Sequence, residues 1–445
     1  MKYIFIISVL IFMLSMFGIP KDKKVGVLLL TSMIFSLVLI PGIPIGWAKQ
    51  LVPLFLLLSE ITYLGIYIRQ TRNTVIAKYF WIVIVAAIIL IISSPHLHDI
   101  SSIRAFIQKE ILFKYFIGIY VFWLIRDERD TETLVKYSFW GIVILTIFGL
   151  INYITQSADI VVELAGSLDS TGIGVSGSDL ATHFTDRDRS RVQSLFLFPH
   201  DYGYMCTVTL LFHLYAYTKN IETKSRFFIT LACCLFGILL CGCRTVVICA
   251  IAGAVVFAFW GFNVGKTIRY YLIAAMTMLV MYMTVPYIQN QVNSILTVFD
   301  KTYYESESST LSGRMMQLEA TMSYVDGHEI LGNGYHYFGI DLGWNEGDIV
   351  DKELLGLESI IFNYLLERGF LGLGLYILML FVLLKFLFKN RDTNKELSAM
   401  AVSMIASYLV FAVMTGELNS YYPTILYVGF AIKLLYESKN SLALS

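Results

Sequence analysis

Apolar residues occur along this chain in long stretches without interruption. "YIFIISVLIFMLSMF" and "WIVIVAAIILIIS" have no polar face at helical spacing, whereas a soluble helix shows one at every turn. Crossing a bilayer takes about 20 mostly apolar residues. In hydrocarbon the backbone must satisfy its own hydrogen bonds, so such runs are helices. About thirteen of them begin, near residues 3, 25, 51, 78, 111, 135, 195, 227, 245, 269, 360, 397 and 421. The pattern predicts an all-α polytopic membrane bundle of about 12–14 transmembrane helices, one integral membrane domain over 1–445. The first run lacks a small-residue cleavage site and is followed by "PKDKK", so it reads as a helix and not a signal peptide.

Two stretches break the pattern, residues 155–194 and 287–357. Their side of the membrane follows from charge. Short loops rich in Lys and Arg face the cytoplasm, and alternate short loops hold twenty of the chain's 33 basic residues, among them Lys21, Arg69, Arg126, Lys219, Lys266, Lys385 and Lys433. The two long loops belong to the other set and are expected outside, with the N-terminus. Residues 287–357 carry eleven Asp and Glu against Lys301, Arg314 and Lys352, a field that repels a generic anion. Inside it, "TLSGRMMQLEATMSYV" reads as an amphipathic helix, with Ser312 as its cap and Met315, Met322 and Val325 on one face. "DGHEILGNGYHYFG" then has the Gly and Asn of turns.

Composition adds little beyond this. The chain is 57% hydrophobic and 15% charged, with no net charge and a mean hydropathy of +0.69. Its six cysteines fall in or beside apolar runs, where thiols act as small hydrophobes, and their spacing suggests neither a disulfide framework nor a zinc site.

The chemistry lies in arginines that run against the charge bias. Arg187, Arg189 and Arg191 precede one membrane helix, Arg244 sits in the short turn of "LLCGCRTVVIC", and Arg314 lies in the large loop. Arg187 and Arg189 read as partners of Asp186 and Asp188. Arg244 has no acidic neighbour in sequence, and an unpaired cation at the membrane edge is costly. The planar fork of arginine suits bidentate phosphate binding, so three such groups from separate segments could hold a membrane-anchored diphosphate and neutralise it as a leaving group without a metal. Glu358, at the mouth of the helix "ESIIFNYLLERGFLG", is a general-base candidate if burial raises its pKa. Its alternative role is to cap that helix. Glu367 and Arg368 read as pairing with neighbours. His200 and Asp201 in "PHDYG" either contact substrate or cap a helix.

An Arg before "FPHDYG", a "CR" turn, a late outer loop with "SGR" and "LGNGYHYF", and then "ESIIFNYLLERGFLG" occur in that order over residues 187–375. This order resembles the Wzy-type O-antigen and capsular polysaccharide polymerases and their relatives, the O-antigen ligases. The resemblance implies a glycosyltransferase C-like membrane fold in the bacterial cytoplasmic membrane, with its active site on the outer side. It implies transfer of a glycan from undecaprenyl diphosphate to an acceptor hydroxyl, with no metal, cofactor or nucleic acid. Arg191, Arg244 and Arg314 would grip the diphosphate. Glu358 stands where ligases carry a histidine in an "HN" motif, which favours a polymerase with Glu358 as base. Tyr335, Tyr337 and Trp344 could line a sugar path or pack the loop on itself, and Tyr335 and His336 are possible substrate contacts. A chain-length regulator and a flippase would be functional neighbours. The alternatives are a ligase that moves finished polymer to a lipid acceptor and a flippase or transporter. The transporter reading is disfavoured because such proteins place ionisable groups near the midplane.

Four other signals are set aside. "GIGVSG" at 172–177 has the dinucleotide spacing without the strand and helix that fold needs. "HLHD", His96 to Asp99, lacks a third ligand. "DLGWNEGDIVDKE" misses the calcium-loop pattern. "GFLGLG", Gly369 to Gly374, reads as a surface for close helix packing.

Overall fold

The computed structural model describes residues 14–15, 17–34, 54–125, 129–155, 191–196, 198–261, 282–284, 289, 293, 311–342, 359–416 and 420–444. All regular structure among them is helical. In chain order the helices are α1 (Lys21–Ile34), α2 (Leu64–Thr71), α3 (Val75–Ser93), α4 (Ile100–Phe106), α5 (Phe116–Leu124), α6 (Arg129–Thr155), α7 (Pro199–Thr218), α8 (Lys224–Leu240), α9 (Arg244–Gly261), α10 (Leu311–Val325), α11 (Tyr337–Ile340), α12 (Ile360–Lys389), α13 (Lys395–Thr415) and α14 (Tyr421–Leu444). Five of these, α3, α6, α9, α12 and α13, are long and apolar enough to cross a membrane. The chain is an all-α polytopic membrane bundle.

Helix α13 is the most enclosed of the five. It packs along α9 in a register fixed by two glycines. A Cβ at Gly253 would lie 3.3 Å from Ser407 Cβ, and one at Gly261 would lie 3.3 Å from Ala399 Cβ. The pairings run in opposite directions, so the helices are antiparallel. Continued to the start of α9, this register sets Arg244 level with Gly416. Helix α7 lies alongside, with Gly203 against Cys241 and Val246 and Gly253 against Leu211. The starts of α7 and α9, the ends of α8 and α13, and the segment 311–342 therefore share one end of the bundle, called here the loop end.

Two irregularities interrupt the helices at that end. Between α4 and α5, residues Ile107–Tyr115 form a π-helix, a rare geometry found mostly as single-turn bulges near functional sites. Helix α12 is broken at Gly369, which has φ 60° and ψ −170°. The 328–334 loop enters the break. Asn333 and Gly334 donate backbone N–H groups to the carbonyls of Leu366 (2.9 Å) and Glu367 (3.0 Å), while Phe370 and Leu371 donate to Glu329 (2.8 Å) and Ile330 (3.1 Å). An unsatisfied backbone group in hydrocarbon costs several kcal/mol, so the loop replaces the ladder that the break removes. "GFLGLG" is thus not the helix-packing surface expected. Gly369 supplies the positive φ that only glycine adopts without strain, and a Cβ there would collide with the Ile330 carbonyl.

Helix α10 also departs from expectation. Ser312 lies inside the helix and not at its cap. Gln317, Ala320 and Val325 are buried with Thr321, whereas Met315, Met316 and Met322 are exposed. The inward stripe therefore runs through Gln and Thr, with the Thr321 hydroxyl satisfied by the Gln317 carbonyl at 2.6 Å. Val325 and Ala320 pack with Phe338, Leu342, Leu365 and Leu366, fastening the helix to α12.

Candidate functional site

Residues 191–196 pass the α8–α9 turn as a strap that closes in a turn of its own, with Phe196 N–H on the Gln193 carbonyl at 3.0 Å. Val192 N–H donates to the Leu240 carbonyl at 2.9 Å, and the Ser194 hydroxyl donates to the Leu145 carbonyl at 2.6 Å. This lays the Arg191 stem over Gly242, where a Cβ would sit 3.1 Å from Arg191 Cγ. Gly242 has φ 67°, and the turn it makes leads directly into Arg244, the first residue of α9. Arg191 and Arg244 thus belong to adjoining strap and turn.

Arg314 arrives from the other direction. Its guanidinium donates to the Met414 carbonyl, near the C-terminus of α13, where the last carbonyls of a helix lack intrahelical donors. The α9–α13 register puts Met414 one helical turn or less from the level of Arg244. His200 is at the same end. It stacks on Phe198 with centroids 5.2 Å apart and lies 6.0 Å from Phe411 of α13. Asp201 is buried in the first turn of α7. The cap position of α7 is Phe198, whose own side chain makes no cap bond. The acidic Asp201 still meets the positive end of the helix dipole.

One member of this group has no counterpart in the sequence reading. Gln193 is fully buried, and among the described residues neither its amide nitrogen nor its oxygen has a hydrogen-bond partner. A buried, unsatisfied amide costs roughly 1–3 kcal/mol. The only signal in sequence was its place two residues from Arg191.

Tyr335 and His336 lie elsewhere, at the broken helix. Tyr335 N–H donates to the Ser94 hydroxyl at 2.9 Å, and its ring meets Phe106 edge to face with centroids 4.8 Å apart. Burial pushes the Tyr335 phenol well above its ordinary range. His336 adopts φ 64°, and its N–H reaches the Glu367 carboxylate. Tyr337 is partly buried against the α10–α12 cluster. Arg368 does pair with a neighbour in space, Glu110, at 3.2 Å. His96 pairs with Asp341 at 2.5 Å, tying the "HLHD" segment to the large loop. Among the described residues no group of three His, Cys, Asp or Glu could hold a metal. Glu358, Arg187, Arg189, Trp344, "GIGVSG" and most of "DLGWNEGDIVDKE" lie outside the described residues.

The arrangement around Arg191, Arg244 and Arg314 offers guanidinium groups from three segments at one end of a membrane bundle, the chemistry of a multivalent oxyanion site. Residues 229–377 match the family model described as O-antigen ligase. The match covers about a third of the chain. The match supports membership of the O-antigen ligase and polymerase superfamily, whose members are glycosyltransferase-like enzymes. The matched stretch runs from α8 to the middle of α12 and includes Arg244, Arg314, Glu367 and Arg368. Arg191, His200 and Asp201 precede it. No curated protein matches the chain.

Proposed function

We propose that this protein is a polysaccharide polymerase that moves a growing glycan from undecaprenyl diphosphate to a lipid-linked repeat unit at the outer face of the cytoplasmic membrane. What supports the reading is that the Arg191 stem lies over Gly242, two residues before Arg244, while the Arg314 guanidinium bonds Met414, which the α9–α13 register sets near the level of Arg244. In this reading the guanidinium groups bind the donor diphosphate and neutralise the charge that develops on it as the anomeric bond breaks. Preorganised charge of this kind is most effective where water is excluded. Glu358 takes the proton from the attacking hydroxyl, and Asp201 and His200 line the approach.

Purified protein incubated with lipid-linked repeat units should yield a ladder of products, absent with Glu358→Gln. Single-step product with no ladder removes the polymerase reading, and an unimpaired Glu358→Gln ladder removes the carboxylate from the reaction. The description of the matching family favours a second reading, a ligase. Cells lacking a ligase accumulate long chains still on the carrier lipid, whereas cells lacking a polymerase carry single repeat units.

A further inference from the structure

The six cysteines make no disulfide framework in sequence, yet two of them meet at the α8–α9 turn. Cys241 closes α8, and Cys243 stands immediately before Arg244, the first residue of α9. Both are thiols, Cys241 buried and Cys243 half-buried. The Cys241 thiol donates to the Ile238 carbonyl at 3.2 Å and the Cys243 thiol to the Cys241 carbonyl at 3.3 Å. The two thiols also interact with each other. A disulfide asks for Cα atoms about 4.4–6.8 Å apart. Residues two apart reach about 7 Å only when extended. Gly242 between them turns instead, with φ 67° and its N–H on the Leu239 carbonyl at 3.3 Å.

The two thiols differ in what they can do. A Cβ at Gly203 would lie 2.6 Å from Cys241 Sγ, so that sulfur is packed against the α7 backbone and closed to a solvent-borne reagent. Burial of this kind disfavours a thiolate. Cys243 is partly exposed, at the N-terminus of an 18-residue helix and with an arginine next in sequence. Both circumstances favour a thiolate. The half-buried thiol is thus suited to attack, and the buried one to resolve the product.

We propose that Cys241 and Cys243 are a redox-active pair, closed to an internal disulfide by a disulfide-bearing oxidant. The Cys243 thiolate attacks one sulfur of the oxidant, whose other sulfur leaves as a thiolate. Cys241 then gives up its proton and attacks the Cys243 sulfur, which closes the Cys241–Cys243 bond and releases the second half of the oxidant. Two protein thiols are oxidised, one disulfide is reduced, and both protons pass to the departing thiolates. Closure removes both S–H hydrogen bonds and draws the turn into a ring. Gly242 in that turn lies under the Arg191 stem and Arg244 follows it, so the ring disturbs the place where strap and turn adjoin. The dithiol does not need the transferase reading; its effect on transfer rests on it.

The test treats the purified, reduced full chain with oxidised glutathione, blocks the remaining thiols with N-ethylmaleimide, and reads the tryptic fragment 227–244 by tandem mass spectrometry. In wild type, Cys241 and Cys243 should be unblocked and bonded to each other. Cys241→Ala should stop at a glutathione adduct on Cys243, formed faster than any at Cys233, which is also half-buried but lies within α8. Cys243→Ala should give no adduct at Cys241. Wild type without a Cys241–Cys243 bond overturns the proposal, and this arm needs no variant to fold. An adduct that forms at Cys233 as fast as at Cys243 overturns the attacking role. Oxidised wild type should build its ladder about 10²-fold more slowly than reduced, the cost of a catalytic group displaced by about 1 Å, whereas Cys243→Ala should be indifferent to the oxidant. Equal wild-type rates in the two states overturn the effect on transfer. A chain that closes the disulfide yet makes no ladder in either state loses the transferase reading and keeps the dithiol.

Discussion

The guanidinium of Arg314 donates to the backbone carbonyl of Met414, 100 residues further along the chain. The bond fixes α10 to the end of α13, at the level where α9 begins. This anchor is one of the bonds that a guanidinium with five N–H donors makes. Arg314→Ala should lower the transfer rate by about 10²–10³-fold, the usual cost of removing one preorganised donor. Arg314→Lys should recover only part, because a point charge cannot serve carbonyl and anion in one plane. Rates from the product ladder, at equal amounts of inserted protein, check both.

The clasp at Gly369 gives a stability prediction. Gly369→Ala forces a side chain into a backbone region that only glycine populates, which costs about 1–3 kcal/mol, and drives a methyl group into the Ile330 carbonyl. Gly332→Ala meets the backbone of Glu367 and Arg368 in the same way. Each variant should expose the 326–342 segment to added protease well below the thermal midpoint of the wild-type protein. A segment as resistant as wild type would show that the clasp is not needed to hold the loop.

At the opposite end, the His213 ring bridges Glu222 (2.8 Å) and the Ser138 hydroxyl (3.1 Å), and Ser138 meets Tyr427 at 3.3 Å. His213 and Glu222 are buried, so the chain Glu–His–Ser reads as a tie between α6, α7 and α14 and not as a nucleophile. Glu222→Ala leaves the imidazole Nδ1 without its partner and should destabilise the protein by roughly 1–3 kcal/mol. Glu222→Gln should cost less, because it keeps an acceptor. Thermal unfolding in detergent separates the two.

Asp99 caps α4 and accepts the Ser101 and Ser102 N–H groups at 3.0 and 3.2 Å. The Ser101 and Ser102 hydroxyls, foremost, and these amides hold its carboxyl well below the usual range. The stability it adds is therefore present above the ordinary carboxylate pKa and is lost as pH falls through the lowered value. In Asp99→Asn the drop in unfolding temperature between pH 7 and pH 3 should be smaller than in wild type.

The membrane bundle was legible because hydrocarbon forces long apolar runs on the sequence, and Arg244 stood out because no carboxylate lies near it along the chain. Helix–helix register was not legible. Nothing in sequence pairs Gly253 with Ser407, or Arg368 with a glutamate 258 positions away. The inward face of α10 was misread because its methionines look like core and its Gln317 and Thr321 do not. Nothing in sequence showed the clasp that sets Tyr335 against Ser94 and Phe106. The apolar run placed near residue 111 hid Glu110 and Lys114, whose four-residue spacing beside "ILFKYF" was the available sign of a charged face inside the membrane.

The clasp also constrains how the protein is made. Residues 328–334 leave the ribosome before α12, so the loop waits without its partners while the helix that needs it is still being synthesised. Until α12 enters the bilayer, neither side of the break has its hydrogen-bonding mates, and the two must be buried in a single late step. Assembly of this end of the molecule is thus governed by the order of translation, and a stall between residues 334 and 370 would leave it open.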